Sequence, residues 1–104
     1  MNIQDAVCAL VEGASLSTCQ VREVMTQIMT GSATDAQIGA FLVALRIKGE
    51  SIDEITGAAE IMRSLAVRVE ISHPNLIDLV GTGGDGANLF NISTGAAFVA
   101  AAAG

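Results

Sequence analysis

Residues 81–94 read GTGGDGANLFNIST, in which four glycines are followed by Asn91 and two hydroxyl side chains. It follows an apolar, strand-like run at 76–80 (LIDLV) and leads into a helical pattern of small residues at 95–103. Glycines let backbone N–H groups approach phosphate oxygens closely, and a helix N-terminus adds about half a positive charge. A strand, a glycine loop and a helix start therefore predict an anion-binding site.

The glycine loop is open to more than one interpretation. Its residues 81–86 formally match GxGxxG, but in dinucleotide-binding folds the helix starts within that motif, whereas here 86–93 intervene before the helical pattern. The Lys-Ser/Thr ending of a P-loop is missing, which disfavours a nucleoside triphosphatase. A glycine turn without any ligand is a further alternative, although four glycines in six residues would destabilise such a turn.

The charge of the chain restricts its partners. The formal net charge is −6, and no Lys or Arg follows Arg68. A nucleic-acid or anionic-membrane surface needs clustered basic residues, so we expect neither partner. No basic segment followed by an apolar run marks a signal peptide, and no apolar run reaches the ~18 residues of a membrane span. Cys8 and Cys19 lie on helical patterns and are expected to be buried free thiols in a reducing cytoplasm.

Four helical patterns precede the glycine loop. The third, at 38–47, is apolar on nearly all sides, so we expect it to be the most buried, with Leu42 fully packed. The fourth carries an apolar stripe at Ile52, Ile55, Ala59, Met62, Leu65 and Ala66. Capping boxes are predicted for the last three helices at Ser17 and Gln20, Thr34 and Gln37, and Ser51 and Glu54.

The break between two domains is predicted near Pro74. Residues 67–71 alternate like an extended segment, and a proline disfavours helix at the residue before it, His73. We therefore assign 1–72 to a helical domain and 73–104 to the start of an α/β domain. One strand and one helix cannot close an α/β sheet, so we interpret the chain as the N-terminal part of a larger protein.

Two segments carry a family resemblance. The segment at 81–104, GTGGDGANLFNISTGAAFVAAAAG, resembles the phosphoribosyl-pyrophosphate (PRPP) loop of the anthranilate phosphoribosyltransferase family. The segment at 40–51, AFLVALRIKGES, resembles the third helix of that family's helical domain and the turn after it. The resemblance implies a mainly α chain: a helical bundle, then the first strand, glycine loop and helix of a truncated α/β domain of the nucleoside phosphorylase/phosphoribosyltransferase kind.

The resemblance also implies an activity and partners. Family members are Mg²⁺-dependent transferases of tryptophan biosynthesis, which join the amine of anthranilate to C1 of PRPP and release pyrophosphate. They form homodimers through the helical domain, here 1–72. No catalytic residue is expected in this chain, because the family's remaining metal ligands and its anthranilate-contacting Arg lie later in the sequence. We therefore expect the 104-residue chain to be inactive by itself.

Site residues carry over by position. The resemblance places anthranilate beside Gly81 and makes Ser93 a magnesium ligand. Family members often have Thr where this chain has Leu89, which leaves only the backbone of Leu89 to contribute. The positions that match the PRPP site are Gly81, Gly84, Asp85, Leu89, Asn91, Ile92, Ser93 and Thr94.

Two rival functions remain. A pyrimidine nucleoside phosphorylase shares the helical domain and a glycine loop, but its loop resembles Ser-Thr-Gly-Gly-Val-Gly and lacks the cluster Phe-Asn-Ile-Ser-Thr found at 90–94. A non-catalytic helical module used only for association is the alternative from a different class.

Overall fold

The computed structural model describes residues 1–81 and 91–104, which form two compact units, Met1–Val67 and Arg68–Gly104. Four of the five helices in the described residues belong to the first unit, and the fifth belongs to the second. The predicted mainly helical chain is therefore confirmed. The helices are α1 (Ile3–Val11), α2 (Thr18–Met29), α3 (Asp35–Lys48), α4 (Ile52–Leu65) and α5 (Ile92–Ala103).

Side-chain caps begin the helices of the first unit. All three predicted capping boxes are present, and α1 begins with Asn2, whose side chain accepts the Asp5 N–H at 2.8 Å. Each such cap satisfies a backbone N–H that the helix itself leaves unpaired. Glycines with positive φ follow α1, α2 and α3, where other residues would be strained. These are Gly13 (φ 83°), Gly31 (φ 76°) and Gly49 (φ 86°).

One hydrophobic core holds the first unit together. Helix α1 packs against α3, α2 packs against α4, and a smaller contact joins α1 to α2. Phe41 is the largest side chain that is fully buried in this core. The buried apolar residues are Ile3, Ala6 and Leu10 of α1, Leu16 of the following loop, Val21 and Val24 of α2, and Phe41 and Ala44 of α3.

The prediction that α3 is the most buried helix is wrong. Only Phe41 and Ala44 are buried, whereas Leu42 is 55% exposed and Val43 is 58% exposed. Because α3 packs chiefly against α1, only one side of its apolar surface is covered within the unit. Ile47, near the C-terminal end of α3, is 82% exposed for the same reason.

The prediction that the apolar stripe of α4 is buried is also wrong, because most of the stripe is exposed to solvent. Ile52, Ile55 and Met62 are exposed, and the buried residues of α4 are Glu54 and Gly57. A Cβ on Gly57 would lie 2.7 Å from the carbonyl oxygen of Thr18, so α2 and α4 approach too closely there for any side chain. The sequence pattern failed because α4 packs through a glycine and a carboxylate rather than through its large apolar residues.

The two cysteines are free thiols, as predicted, but their predicted burial is wrong. Both Cys8 and Cys19 are exposed, since α1 turns Ala6 and Leu10 toward the core and α2 turns Val21 and Val24 toward it. Within the described residues, none of the helices combines the length and apolar character needed to cross a membrane.

In the second unit, the structure differs from the sequence prediction at the strand and at the start of the helix. Residues 76–80 carry no strand assignment, because a strand is defined by ladder hydrogen bonds to a neighbour and the described residues contain no such ladder. Helix α5 begins at Ile92, three residues earlier than its predicted start at 95. The earlier start follows from Asn91, whose side chain caps the first turn.

Candidate functional site

The N-terminus of α5 is built by Asn91. Its Oδ1 accepts the Thr94 N–H at 2.9 Å, and its carbonyl oxygen accepts the Gly95 N–H at 3.2 Å. The N–H groups of Ile92 and Ser93 fall in the first turn, where helical geometry provides no intrahelical partner. This end of α5 is therefore polarised to attract an anion.

Gly81 and Ser93 lie next to each other, although eleven residues of sequence separate them. A Cβ built on Gly81 would lie 3.0 Å from Ser93 Oγ and 3.9 Å from Ser93 Cβ. Ser93 is half-buried in the first turn of α5. The end of the apolar run at 76–80 thus meets the start of α5, as a strand–loop–helix anion site requires.

A cavity of about 580 Å³ opens beside this contact, within the second unit. One part of its lining is polar and the other part is apolar. The sequence analysis did not identify the apolar part, although α5 signals it, since Thr94, Ala97, Phe98 and Ala101 follow the i, i+3, i+4, i+7 spacing of a single helix face. The lining residues are Leu79, Val80, Gly81, Asn91, Ser93, Thr94, Ala97, Phe98 and Ala101.

The predicted PRPP residues divide into three groups. Gly81, Asn91, Ser93 and Thr94 line the cavity together. Ile92 is the first residue of α5 and lies outside this lining. The positions outside the described residues are Gly84, Asp85 and Leu89.

The side-chain amide of Asn91 can cap α5 with its oxygen and bind a ligand with its nitrogen. Its oxygen is engaged in the cap, so the Nδ2 group is the end that can donate hydrogen bonds to a ligand. Phosphate oxygens accept hydrogen bonds, so an amide nitrogen is the suitable end for that contact.

The described residues could bind a metal ion only if the substrate supplied further ligands. Among them, no three or more His, Cys, Asp or Glu side chains lie close enough together to hold a metal. Ser93 Oγ is an oxygen donor at the cavity wall, and the missing Cβ of Gly81 leaves space beside it. Mg²⁺ prefers oxygen ligands and usually keeps waters and substrate phosphates around it. One protein hydroxyl is compatible with such a shared ion and not with a dedicated protein cage.

A buried ion pair organises the first unit. Glu54 Oε2 accepts a 2.9 Å hydrogen bond from Lys48 Nζ and a 2.7 Å bond from the Ser51 N–H, and Oε1 accepts the Leu16 N–H at 2.9 Å. Burial by itself would raise the pKa of Glu54, but these hydrogen bonds outweigh it and hold the pKa below its ordinary value of 4.5. The sequence indicated Glu54 only as a capping residue.

Comparison with known families matches both halves of the chain. A family model described as "Glycosyl transferase family, helical bundle domain" matches residues 4–66. A second model, "Glycosyl transferase family, a/b domain", matches residues 73–104. The chain therefore belongs to this glycosyl transferase family, with the helical bundle domain first and the beginning of the a/b domain after it.

Individual relatives within that family carry a more particular name. Proteins called anthranilate phosphoribosyltransferase are 64% identical in Saccharophagus degradans, 65% identical in Teredinibacter turnerae and 62% identical in Hahella chejuensis. Each match covers the whole of this chain and 30% of the relative, so the chain spans about a third of their length. The resemblance inferred from 81–104 and 40–51 is confirmed.

Proposed function

We propose that this chain is the N-terminal part of an anthranilate phosphoribosyltransferase and that its second unit supplies the phosphate-binding end of the PRPP site. The observation that carries the proposal is the meeting of Gly81 with Ser93 at the N-terminus of α5, beside a cavity. The names of relatives more than 60% identical over the whole chain support the choice of anthranilate and PRPP as substrates.

The described residues contribute positioning and polarisation to the reaction. In the transfer, the amine of anthranilate forms a bond to C1 of PRPP while the bond from C1 to the pyrophosphate oxygen breaks. The first-turn N–H groups of α5 and the hydroxyls of Ser93 and Thr94 would hold phosphate oxygens of PRPP. Ser93 Oγ is the described group that would hold a Mg²⁺ ion, and the chemistry supplied by that ion would be neutralisation of negative charge on the pyrophosphate.

Charge makes a metal ion a reasonable component of this site. No Lys or Arg follows Arg68, so the second unit provides little positive charge for a pyrophosphate. Backbone dipoles at α5 compensate only about half of one elementary charge. A cation shared with the substrate at the place where Ser93 Oγ lies would supply further positive charge.

We also propose that the helical unit associates with a second copy, as the family resemblance implies. The exposed apolar residues of α3 support this, because Leu42, Val43 and Ile47 are more than half exposed. Sedimentation at high micromolar concentration would show a dimer, and Val43→Asp should shift it to monomer. Only monomer in the unsubstituted protein would contradict this part of the proposal.

A cytoplasmic location remains a prediction, which the free thiols Cys8 and Cys19 support.

The phosphate-binding role is tested in the full-length parent by calorimetric titration with PRPP and Mg²⁺. Ser93→Ala should weaken binding by about 10- to 100-fold, because hydrogen bonds to charged groups contribute about 1.5–3 kcal/mol. Ser64→Ala is the matched control, since the Ser64 hydroxyl donates a hydrogen bond to the Ile61 carbonyl of its own helix, in the first unit. Equal affinity of the unsubstituted and Ser93→Ala proteins would contradict the assignment.

A further inference from the structure

At Gly81, the space around the residue favours glycine, whereas the backbone conformation does not require it. Gly13, Gly31 and Gly49 have positive φ, which favours glycine whatever surrounds it, and Gly81 does not. Instead, a Cβ on Gly81 would lie 3.0 Å from Ser93 Oγ, closer than the ordinary 3.4–4 Å contact. The group that would be displaced is therefore a hydroxyl at the wall of the cavity.

The close approach between Gly81 and Ser93 is not shared by the neighbouring glycine of α5. Gly95 lies two positions after Ser93 on the same helix, yet a Cβ there would meet nothing within 4 Å. The Cβ of Ser93 would tolerate a methyl group on Gly81, because the two carbons would be 3.9 Å apart. Among the residues that the structure describes, the Oγ of Ser93 is the atom that conflicts with a side chain at position 81.

We propose that Gly81 is a positioning residue for the Ser93 hydroxyl, and this inference rests on the proposed role of Ser93 in binding PRPP. The absence of a Cβ lets Oγ keep its place beside the cavity. A methyl group at position 81 would push Oγ away by a few tenths of an ångström or into another staggered rotamer. The hydroxyl would then no longer meet the phosphate or its metal ion in the same geometry.

The expected effect follows from how sensitive transfer reactions are to position. A misplacement of about 1 Å can cost about a hundredfold in rate, so a smaller shift of Oγ should cost about tenfold. Gly81→Ala should therefore lower kcat/KM for PRPP about tenfold in the full-length parent. The same substitution should weaken the calorimetric binding of PRPP in the presence of Mg²⁺.

A double-mutant cycle separates action through Ser93 from direct contact with substrate. Gly81→Ala is introduced into the unsubstituted parent and into the Ser93→Ala variant, and both kcat/KM and PRPP affinity are measured. If Gly81 acts through Ser93, the second background should show a loss of less than about twofold, because the interacting atom is already gone. Gly95→Ala is the matched control, and an unchanged thermal midpoint shows that each variant is folded.

Two results would overturn the inference while leaving the proposed function intact. One is an equal loss from Gly81→Ala in both backgrounds, which would mean that position 81 touches the substrate directly. The other is no loss from Gly81→Ala although Ser93→Ala alone is impaired. If Ser93→Ala itself binds PRPP normally, the proposed role of Ser93 fails, and the inference fails with it.

Discussion

The carboxylate of Glu54 and the ammonium group of Lys48 form a 2.9 Å ion pair whose side chains are only 2% and 8% exposed. The pair joins the end of α3 to the start of α4, and the same carboxylate holds the loop after α1 through the Leu16 N–H. Three segments of the first unit therefore depend on one buried negative charge.

Removing that charge should destabilise the first unit strongly. Glu54→Gln leaves Lys48 buried without its counter-ion, a change that typically costs about 3–5 kcal/mol. The free energy of unfolding in urea gives the measurement, and Glu60→Gln on the exposed part of α4 is the control. Glu60 approaches Arg22 only at 3.7 Å with half of its side chain exposed, so we expect little change there. Equal effects of the two substitutions would contradict the assigned role of Glu54.

Acid should weaken the same contact. The pKa of Glu54 is lower in the folded chain than its ordinary 4.5, so the folded state binds fewer protons at this group than the unfolded state does. The stabilisation is therefore present at neutral pH and is lost as the pH falls below 4.5 and through the folded value. The difference in unfolding free energy between the unsubstituted chain and Glu54→Gln should shrink between pH 6 and pH 3. A difference independent of pH would show that the charge of Glu54 is not what stabilises the unit.

The close crossing of α2 and α4 gives a steric prediction. Gly57→Ala places a methyl group 2.7 Å from the Thr18 carbonyl oxygen, so the helices must separate. Overpacking of this kind costs about 1–3 kcal/mol. Gly39→Ala in α3 is the control, because a Cβ there meets nothing within 4 Å and alanine favours helix. Thermal midpoints should fall for Gly57→Ala and stay level or rise for Gly39→Ala, and the reverse order would refute the crossing.

Neighbouring residues of α3 should differ sharply in their contribution to stability. Phe41 is fully buried, so Phe41→Ala should cost about 3–5 kcal/mol of unfolding free energy. Leu42 is 55% exposed, and Leu42→Ala should cost less than about 1 kcal/mol at low protein concentration, where association is weak. Urea unfolding of both variants provides the comparison, and a large loss for Leu42→Ala would restore the original expectation of a fully covered α3.

The sequence predicted where the helices lie better than it predicted which side of each helix is buried. Capping boxes and terminal glycines are local signals, so the helices at α1 to α4 and their starts at Ser17, Thr34 and Ser51 were predictable. Which side of a helix is buried depends on its partners, and α4 shows this, because Gly57 and Glu54 pack while Ile52 is exposed. No periodicity rule anticipates an interface made of a glycine and a carboxylate.

In the candidate site, too, local sequence features were predictable and contacts between distant residues were not. Glycines followed by hydroxyl residues predicted an anion site, and the family resemblance implied the role that we propose for Ser93. The contact between Gly81 and Ser93 was not predictable, because it joins residues on either side of a loop. The apolar part of the cavity, including Phe98, was predictable in principle from the helical spacing of α5.

We propose that the protein to which this chain belongs transfers the phosphoribosyl group of PRPP to anthranilate. The most direct measurement is the loss of anthranilate fluorescence catalysed by the full-length parent with PRPP and Mg²⁺. We expect the loss to require both PRPP and Mg²⁺, and we expect none from the 104-residue chain alone. A parent that leaves anthranilate unchanged, yet cleaves a pyrimidine nucleoside with inorganic phosphate, would contradict the claim and favour the phosphorylase instead.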